Sequence, residues 1–189
     1  EDSAAPIHLP DHTLAGAVIV FRDVTDTHRM AAEIAHQARH DPLTGLPNRR
    51  EFEHRLRELL EQAQRSEAEH ALCYIDLDQF KVVNDGCGHA AGDALLTELA
   101  TLLQHRIRRG DLLARLGGDE FGLLLADCPV DRATQIAGDL LALISDFRFR
   151  WDERSFSIGA SIGLVPVTAA AASAAELMAE ADLACFTAK

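Results

Sequence analysis

Residues 115–122 read RLGGDEFG, and this stretch decides how the rest of the chain is interpreted. Its two glycines are followed directly by the carboxylates of Asp119 and Glu120, and apolar runs stand on both sides. A Gly-Gly pair between two such runs is typical of a β-hairpin. Two interpretations of the hairpin remain open at this point. It is either a turn with charged residues at its tip or a place where two acids hold a metal ion beside bare backbone.

A second pair of acids closes the apolar run ALCYIDLD (71–78), which has the pattern of a buried central strand. Strand alternation places Asp76 and Asp78 on the same face. If the hairpin lies beside this strand, three or four carboxylates meet at one edge of the sheet, and a cation has to offset their repulsion. Oxygen ligands favour Mg²⁺ or Mn²⁺ over zinc, and this layout suits phosphoryl or nucleotidyl transfer. The alternative is a strand that ends in solvated acids.

The glycine-rich segment NDGCGHAAGD (84–93) adds an amide, Asn84, and a carboxylate, Asp93. Together they could recognise a purine edge. A carboxylate accepts hydrogen bonds from N1–H and the 2-amino group of guanine, and adenine lacks both donors there. The alternative is a series of turns in which Asp93 caps the next helix. Further along, RRGD (108–111) contains a basic pair before an acid, for which a solvated helix end is the alternative.

The overall charge limits the partners of the chain. A formal net charge of −12 over 189 residues argues against non-specific binding to nucleic acid or anionic membranes. We therefore expect no nucleic-acid partner. The 4 cysteines form no C-x-x-C pair and indicate reduced thiols, and no apolar run approaches transmembrane length. We expect a cytoplasmic protein, which upstream segments of a longer polypeptide could anchor to a membrane.

The periodicity of residues 41–189 predicts the order helix, strand, helix, hairpin, helix, two strands, helix. This order gives an α/β (α+β) sandwich, in which helices flank a central, mostly antiparallel sheet. Pro47 is predicted in the first turn of the first helix. Residues 80–93 are predicted as turns, and the run FSIGASIGLVPV (156–167) as one strand.

The first 40 residues contain too few apolar positions to build a hydrophobic core of their own. Residues 1–13 are predicted as a loop, 14–26 as a strand, and 27–40 as a helix with a narrow apolar stripe. We therefore interpret 1–26 as the tail of an upstream domain, 27–40 as a helical linker and 41–189 as the main domain of a longer protein.

Three motifs in register carry a family resemblance: DPLTGLPNRREF (41–52), DLDQFKVVNDGCGHAAGD (76–93) and RLGGDEF (115–121). Together they resemble the GGDEF domain of diguanylate cyclases over residues 41–189. The resemblance implies a fold similar to class III adenylyl cyclases and polymerase palm domains. It also implies a reaction in which two GTP molecules, one on each subunit of a homodimer, condense to cyclic di-GMP with release of pyrophosphate.

The resemblance also implies roles at the acidic edge. Asp76, the backbone carbonyl of Leu77, and Asp119 match metal-binding positions for Mg²⁺ or Mn²⁺. Asp119 further matches the acceptor of the proton from the attacking 3′-hydroxyl. Glu120 matches a position needed for metal binding or activity.

Other matched positions concern the nucleotides. Asn84 and Asp93 match guanine contacts, and Lys81 and Lys189 match phosphate contacts. Arg108 and Asp111 match the R-x-x-D site at which the product, cyclic di-GMP, inhibits the enzyme.

Two further features concern neighbouring segments. GAVIVFRDVTD (16–26) with its helix resembles the end of a PAS sensor domain. The family usually continues past the late lysine with a Gly-Arg-Asn type segment and a last strand. We therefore expect residues beyond Lys189 to supply an arginine phosphate contact and an edge strand, and we expect the fragment to be less active without them. An alternative function is a regulatory module that senses GTP or binds cyclic di-GMP and is attached to a downstream EAL phosphodiesterase domain.

Overall fold

The structure, a computed structural model, describes residues 2–10, 12–21, 23–27, 33 and 36–189. The chain divides into two compact units, Glu1–Ala38 and Arg39–Lys189. None of the helices within these described ranges is both long enough and apolar enough to cross a bilayer.

The first unit contains an antiparallel hairpin of β1 (Asp2–His8) and β2 (Leu14–Phe21). The prediction of a loop over residues 1–13 was therefore wrong. The β-branched residues of β2 favour a strand, and β1 becomes extended because its backbone pairs with β2 along its whole length. The predicted strand over 14–26 is shorter than expected, because helical backbone begins at residue 25. Much of the predicted linker helix, 27–40, lies outside the described residues. In this region the structure describes helical backbone at residues 25–27, 33, 36 and 37.

The second unit contains a sheet, a small hairpin and five helices. Its strands are β3 (His70–Asp78), β4 (Leu112–Gly117), β5 (Glu120–Leu125), β6 (Arg148–Trp151), β7 (Arg154–Ser157) and β8 (Gly159–Val167). Its helices are α1 (Arg49–Ser66), α2 (Phe80–Cys87), α3 (His89–Gln104), α4 (Val130–Asp146) and α5 (Ala174–Ala188).

The main sheet has the order β4-β5-β3-β8, and all its neighbours are antiparallel. Alternation along β3 sends Leu72 and Tyr74 into one apolar cluster, and Cys73 and Ile75 into the other. Helices cover both faces, so the predicted antiparallel sheet flanked by helices is confirmed. The predicted strand over 156–167 was wrong, because the chain leaves the β6–β7 hairpin at the buried residue Ile158 and enters the main sheet only at β8.

Two helix boundaries differ from the sequence prediction. Asn48 caps α1 by accepting a hydrogen bond from Glu51 N at 3.1 Å, so Pro47 precedes the cap instead of lying in the first turn. Residues 80–93, predicted as turns, form α2 and the start of α3, and only Gly88 with φ 83° separates the two helices. Asp93 lies within α3, whose N-cap is Gly88, so the alternative in which Asp93 caps that helix was wrong.

Candidate active site

The acidic edge is built by the pairing of β3 with β5. Asp76 and Glu120 are direct partners in this antiparallel register. One residue further along, Leu77 N donates a hydrogen bond to Asp119 O at 3.2 Å. The structure thus places the hairpin turn beside the end of β3, which was the condition for a shared carboxylate site.

Two glycines shape the turn between β4 and β5. Gly117 pairs with Glu120, so Gly118 and Asp119 form the turn itself. Gly117 has a φ of 151° and Gly118 a φ of 50°, both in the range that favours glycine. Because neither residue carries a side chain, bare backbone lies next to the carboxylate of Asp119.

Arg115 fixes this turn to the loop before α1. Its Nη2 and Nε donate to Gly118 O at 2.8 and 3.1 Å, and its Nη1 lies 3.1 Å from both carboxylate oxygens of Asp41. Burial of Asp41 opposes ionisation, but hydrogen bonds from Thr44 and Arg115 outweigh it and lower the pKa of Asp41. Sequence reasoning missed this pair, although both residues lie inside the motifs that carry the family resemblance.

Glu120 belongs to a second charged group. Arg49, in the first turn of α1, places its Nη2 at 3.4 Å from Glu120 Oε2 and donates from Nε to Leu116 O at 3.1 Å. Burial, together with a hydrogen bond to Glu120, raises the pKa of Tyr74 well above its usual value. The carboxylate of Glu120 is therefore held between a cation and a neutral phenol.

Lys189 supplies the positive charge at Asp76. Its Nζ lies 2.7 Å from Asp76 Oδ1, a buried oxygen with no other partner among the described residues. A hydrogen bond to Asp76 and the charges of Asp76, Asp119 and Asp78 raise the pKa of Lys189. Lys189 thus pairs directly with Asp76, and the charges of Asp119 and Asp78 act on it in the same direction. Asp78 also accepts a hydrogen bond from Ser161 Oγ at 3.1 Å.

This arrangement fits a divalent cation that is only partly enclosed by protein. Within the described part of the chain, no group of three or more His, Cys, Asp and Glu side chains forms a metal cluster. The buried Asp76 Oδ1, however, already binds a cationic group, and Asp119 acts on the same charge. Mg²⁺ often binds through one or two carboxylates and takes its remaining ligands from water and substrate phosphates.

The predicted guanine contacts lie on the two helices that follow β3. Asn84 is on α2 and Asp93 on α3, and Gly92, the residue before Asp93, lies against the Asn84 carboxamide. Asn84 Oδ1 is buried and has no hydrogen-bond partner in the described structure. Lys81 and Asp93 are exposed. The structure therefore packs Asn84 against the residue that precedes Asp93 on α3 and leaves the side chains of Asp93 and Lys81 exposed.

Arg108 and Asp111 lie at the opposite end of the β4–β5 hairpin from its turn. Arg108 Nε donates to both oxygens of Asp111 at 3.0 and 3.1 Å, and its Nη2 contacts Ala126 O. Asp111 also accepts from Ala126 N at 3.1 Å, and its side chain is only 3% exposed. The pair borders a cavity of about 560 Å³, and the other charged residues in its lining are Arg106, Arg132, Asp139 and Asp146.

A sheet of this order, with a GGDEF turn held against a strand-end aspartate, defines a GGDEF domain. Residues 38–189 match the family described as diguanylate cyclase, GGDEF domain, and the chain belongs to this family.

Curated relatives and solved structures show the same likeness. The chain is 46% identical over 187 residues to the probable diguanylate cyclase DgcE of Escherichia coli (strain K12), covering 99% of this chain and 17% of DgcE. It is 38% identical over 176 residues to the cyclic di-GMP phosphodiesterase PdeB of Shewanella oneidensis, covering 93% of this chain and 20% of PdeB. The chain thus spans a fifth or less of either relative. The solved structure of an N-terminally shortened TpbB from Pseudomonas aeruginosa (PAO1), which comprises only the GGDEF domain, is 39% identical with a TM-score of 0.74, over 79% of this chain and 88% of that one.

Proposed function

We propose that this chain is a diguanylate cyclase domain that condenses two GTP molecules to cyclic di-GMP and two pyrophosphates, as a step in bacterial second-messenger signalling. The observation that carries the proposal is the pairing of Asp76 with Glu120, which sets Asp119 at the end of β3. Membership of the GGDEF family and the similarity to DgcE support it.

The acidic edge would hold Mg²⁺ or Mn²⁺ through Asp76, the carbonyl of Leu77, Asp119 and Glu120. Such an ion, when bound, supplies positive charge for the triphosphate. Asp119 accepts the proton of the 3′-hydroxyl of one GTP. The 3′-oxygen then bonds to the α-phosphorus of the other GTP, and the bond from that phosphorus to the β-phosphate bridge breaks and releases pyrophosphate. The same exchange, repeated in the opposite direction, closes the ring.

The other proposed contacts hold the nucleotide. Asp93 accepts hydrogen bonds from N1–H and the 2-amino group of guanine, and Asn84 completes the contact with the base. Lys81 and Lys189 bind phosphates. Lys189 therefore has to leave Asp76 Oδ1, its partner in this structure, when a triphosphate binds.

The reaction requires two copies of the domain, since each chain holds one GTP and the two nucleotides must face each other. The reaction rate depends on how often the two nucleotides are brought together, and regulation can act on this step. We propose that 41–189 is the cyclase domain and that 1–26, as the end of a PAS-like domain, and the linker 27–40 control how a homodimer forms. We propose that this activity is cytoplasmic, because GTP is available in that compartment and thiols stay reduced there.

Arg108 and Asp111 are proposed as the binding site for inhibitory cyclic di-GMP. Arg108 is 59% exposed and borders an open cavity, so its guanidinium can reach a phosphate. Binding of cyclic di-GMP at this site would lower the activity of the domain as the product accumulates.

The test is turnover of GTP by the purified protein with Mg²⁺, following cyclic di-GMP by chromatography and pyrophosphate by a coupled assay. We expect two pyrophosphates for each cyclic di-GMP, no product with ATP, and none after chelation of the metal. Binding of GTP without product, in a protein that dimerises, would contradict the proposal and favour a regulatory module. The regulatory module is the second candidate function because the chain is also similar to PdeB, which is named as a phosphodiesterase and not as a cyclase.

A further inference from the structure

The missing side chain of Gly92 makes room for the carboxamide of Asn84. A Cβ atom on Gly92 would lie 2.1 Å from Asn84 Oδ1 and 3.0 Å from Asn84 Cγ, and also 3.0 Å from Phe80 Cζ. Contacts below 3.0 Å are essentially never made by real Cβ atoms. The carboxamide therefore fills the volume that any other residue at position 92 would need.

The same packing fixes a group that has no partner within the domain. Asn84 Oδ1 is buried without a hydrogen bond among the described residues. A buried polar atom without a partner costs stability, so it is retained where function requires it. Gly92 is next to both polar residues: Asp93 follows it directly on α3, and the Asn84 carboxamide packs against it.

We propose that Gly92 is a specificity-determining position, which holds the Asn84 carboxamide beside Asp93 so that both groups meet the guanine base. The inference rests on the proposed binding of GTP and adds a positioning residue to it. Gly92 itself contributes no atom to recognition. Its role is to be small enough for Asn84 to lie where it does.

The structure separates this role from a general role in folding. Gly92 lies inside α3, where alanine is the better helix former, and the atoms that its Cβ would meet are side-chain atoms of Asn84 and Phe80, not backbone. Gly163 provides the contrast, because a Cβ there would meet the backbone atoms Ala181 O at 2.0 Å and Cys185 N at 2.4 Å. Gly92→Ala is thus expected to leave the fold intact and to displace Asn84.

The chain also offers a matched control. Gly86 lies on α2, and a Cβ there would meet only Arg154 Nη1, at an ordinary contact distance of 3.8 Å. Gly86→Ala therefore makes the same chemical change on a neighbouring helix without moving Asn84.

The experiment measures binding of 3′-deoxy-GTP and 3′-deoxy-ATP by calorimetry with Mg²⁺, since neither nucleotide carries the attacking hydroxyl. Gly92→Ala should bind 3′-deoxy-GTP about tenfold more weakly, the effect expected from one lost hydrogen bond, and 3′-deoxy-ATP with unchanged affinity. Gly86→Ala should bind both like the wild type. Asn84→Ala combined with Gly92→Ala should be no weaker than Asn84→Ala alone, because one substitution acts through the other.

Three results would overturn the inference: unchanged affinity of Gly92→Ala for the guanine nucleotide, an equal loss for both nucleotides, or losses that add in the double variant. Unfolding of Gly92→Ala, checked by circular dichroism, would also overturn it, since only side-chain atoms are required to move. A wild-type protein that does not bind 3′-deoxy-GTP would instead contradict the proposed function itself.

Discussion

Asp76 and Glu120 lie directly opposite each other on β3 and β5, and this pairing places the GGDEF turn at the acidic end of the sheet. Because side chains alternate along a strand, a slip of one residue would turn Asp76 toward the other face. The apolar residues of β3 pack on both faces of the sheet and resist such a slip. The geometry of the site is therefore a consequence of the core.

The first prediction concerns the turn. Arg115→Met removes the two hydrogen bonds to Gly118 O and the pair with Asp41, so Asp119 loses its fixed position. We expect the rate of cyclic di-GMP formation to fall about tenfold to a hundredfold, since small displacements of reacting groups are costly. Arg148→Met is the control, because Arg148 bonds only to nearby carbonyl oxygens, Ser145 O and Phe147 O, in the described structure. Full turnover by Arg115→Met would contradict this role.

The second prediction concerns the cation site without nucleotide. The ammonium of Lys189 already neutralises Asp76, so an incoming Mn²⁺ has to displace it. Lys189→Met should therefore bind Mn²⁺ more tightly than the wild type when GTP is absent, although it should turn over GTP more slowly. Mn²⁺ binding can be followed by electron paramagnetic resonance. The exposed Lys81 gives the matched variant Lys81→Met, which should not change this affinity. Equal Mn²⁺ affinity of Lys189→Met and the wild type would argue against displacement.

The sequence was sufficient for the β4–β5 hairpin and for the acids at its turn and at the end of β3, because strand alternation and a Gly-Gly turn are local patterns. It was not sufficient for Arg115 and Asp41, which are separated by 74 positions and meet only in the fold. Glycines misled the prediction for 80–93. Gly86 and Gly92 lie inside helices, and only Gly88 marks a break. Their meaning depends on neighbours in space, as the contact of Gly92 with Asn84 shows.

The third prediction concerns pH. The pKa of Asp41 is lowered from 3.8 in the folded chain, so the unfolded chain binds the proton more readily. The stability from this group is complete above pH 3.8 and is lost as the pH falls through the lower folded pKa. In urea unfolding, Asp41→Asn should lower the free energy of unfolding at pH 7 and weaken its fall below pH 3.8. An unchanged acid dependence would show that Asp41 does not contribute in this way.

The fourth prediction concerns the proposed product site. Arg108→Ala removes the exposed guanidinium at the rim of the cavity and its contacts with Asp111 and Ala126. We expect calorimetry to show at least tenfold weaker binding of cyclic di-GMP, the loss typical of a charge-assisted hydrogen bond, and release from product inhibition. Arg55→Met, which removes a surface pair with Glu58 on α1, should bind the product normally. If Arg108→Ala binds cyclic di-GMP as tightly as the wild type, Arg108 and Asp111 do not form the inhibitory product site.

The central claim is that the acidic turn catalyses the condensation of GTP. The most direct measurement compares cyclic di-GMP formation by the wild type and by Asp119→Asn, under conditions in which both bind 3′-deoxy-GTP and form dimers. Asparagine preserves the shape of the side chain but removes the proton acceptor and one negative charge. We predict product from the wild type and at least a hundredfold less from Asp119→Asn, the lower end of the contribution expected of a general base. Equal rates from the two proteins, or no product from a dimeric wild type that binds GTP, would contradict the account.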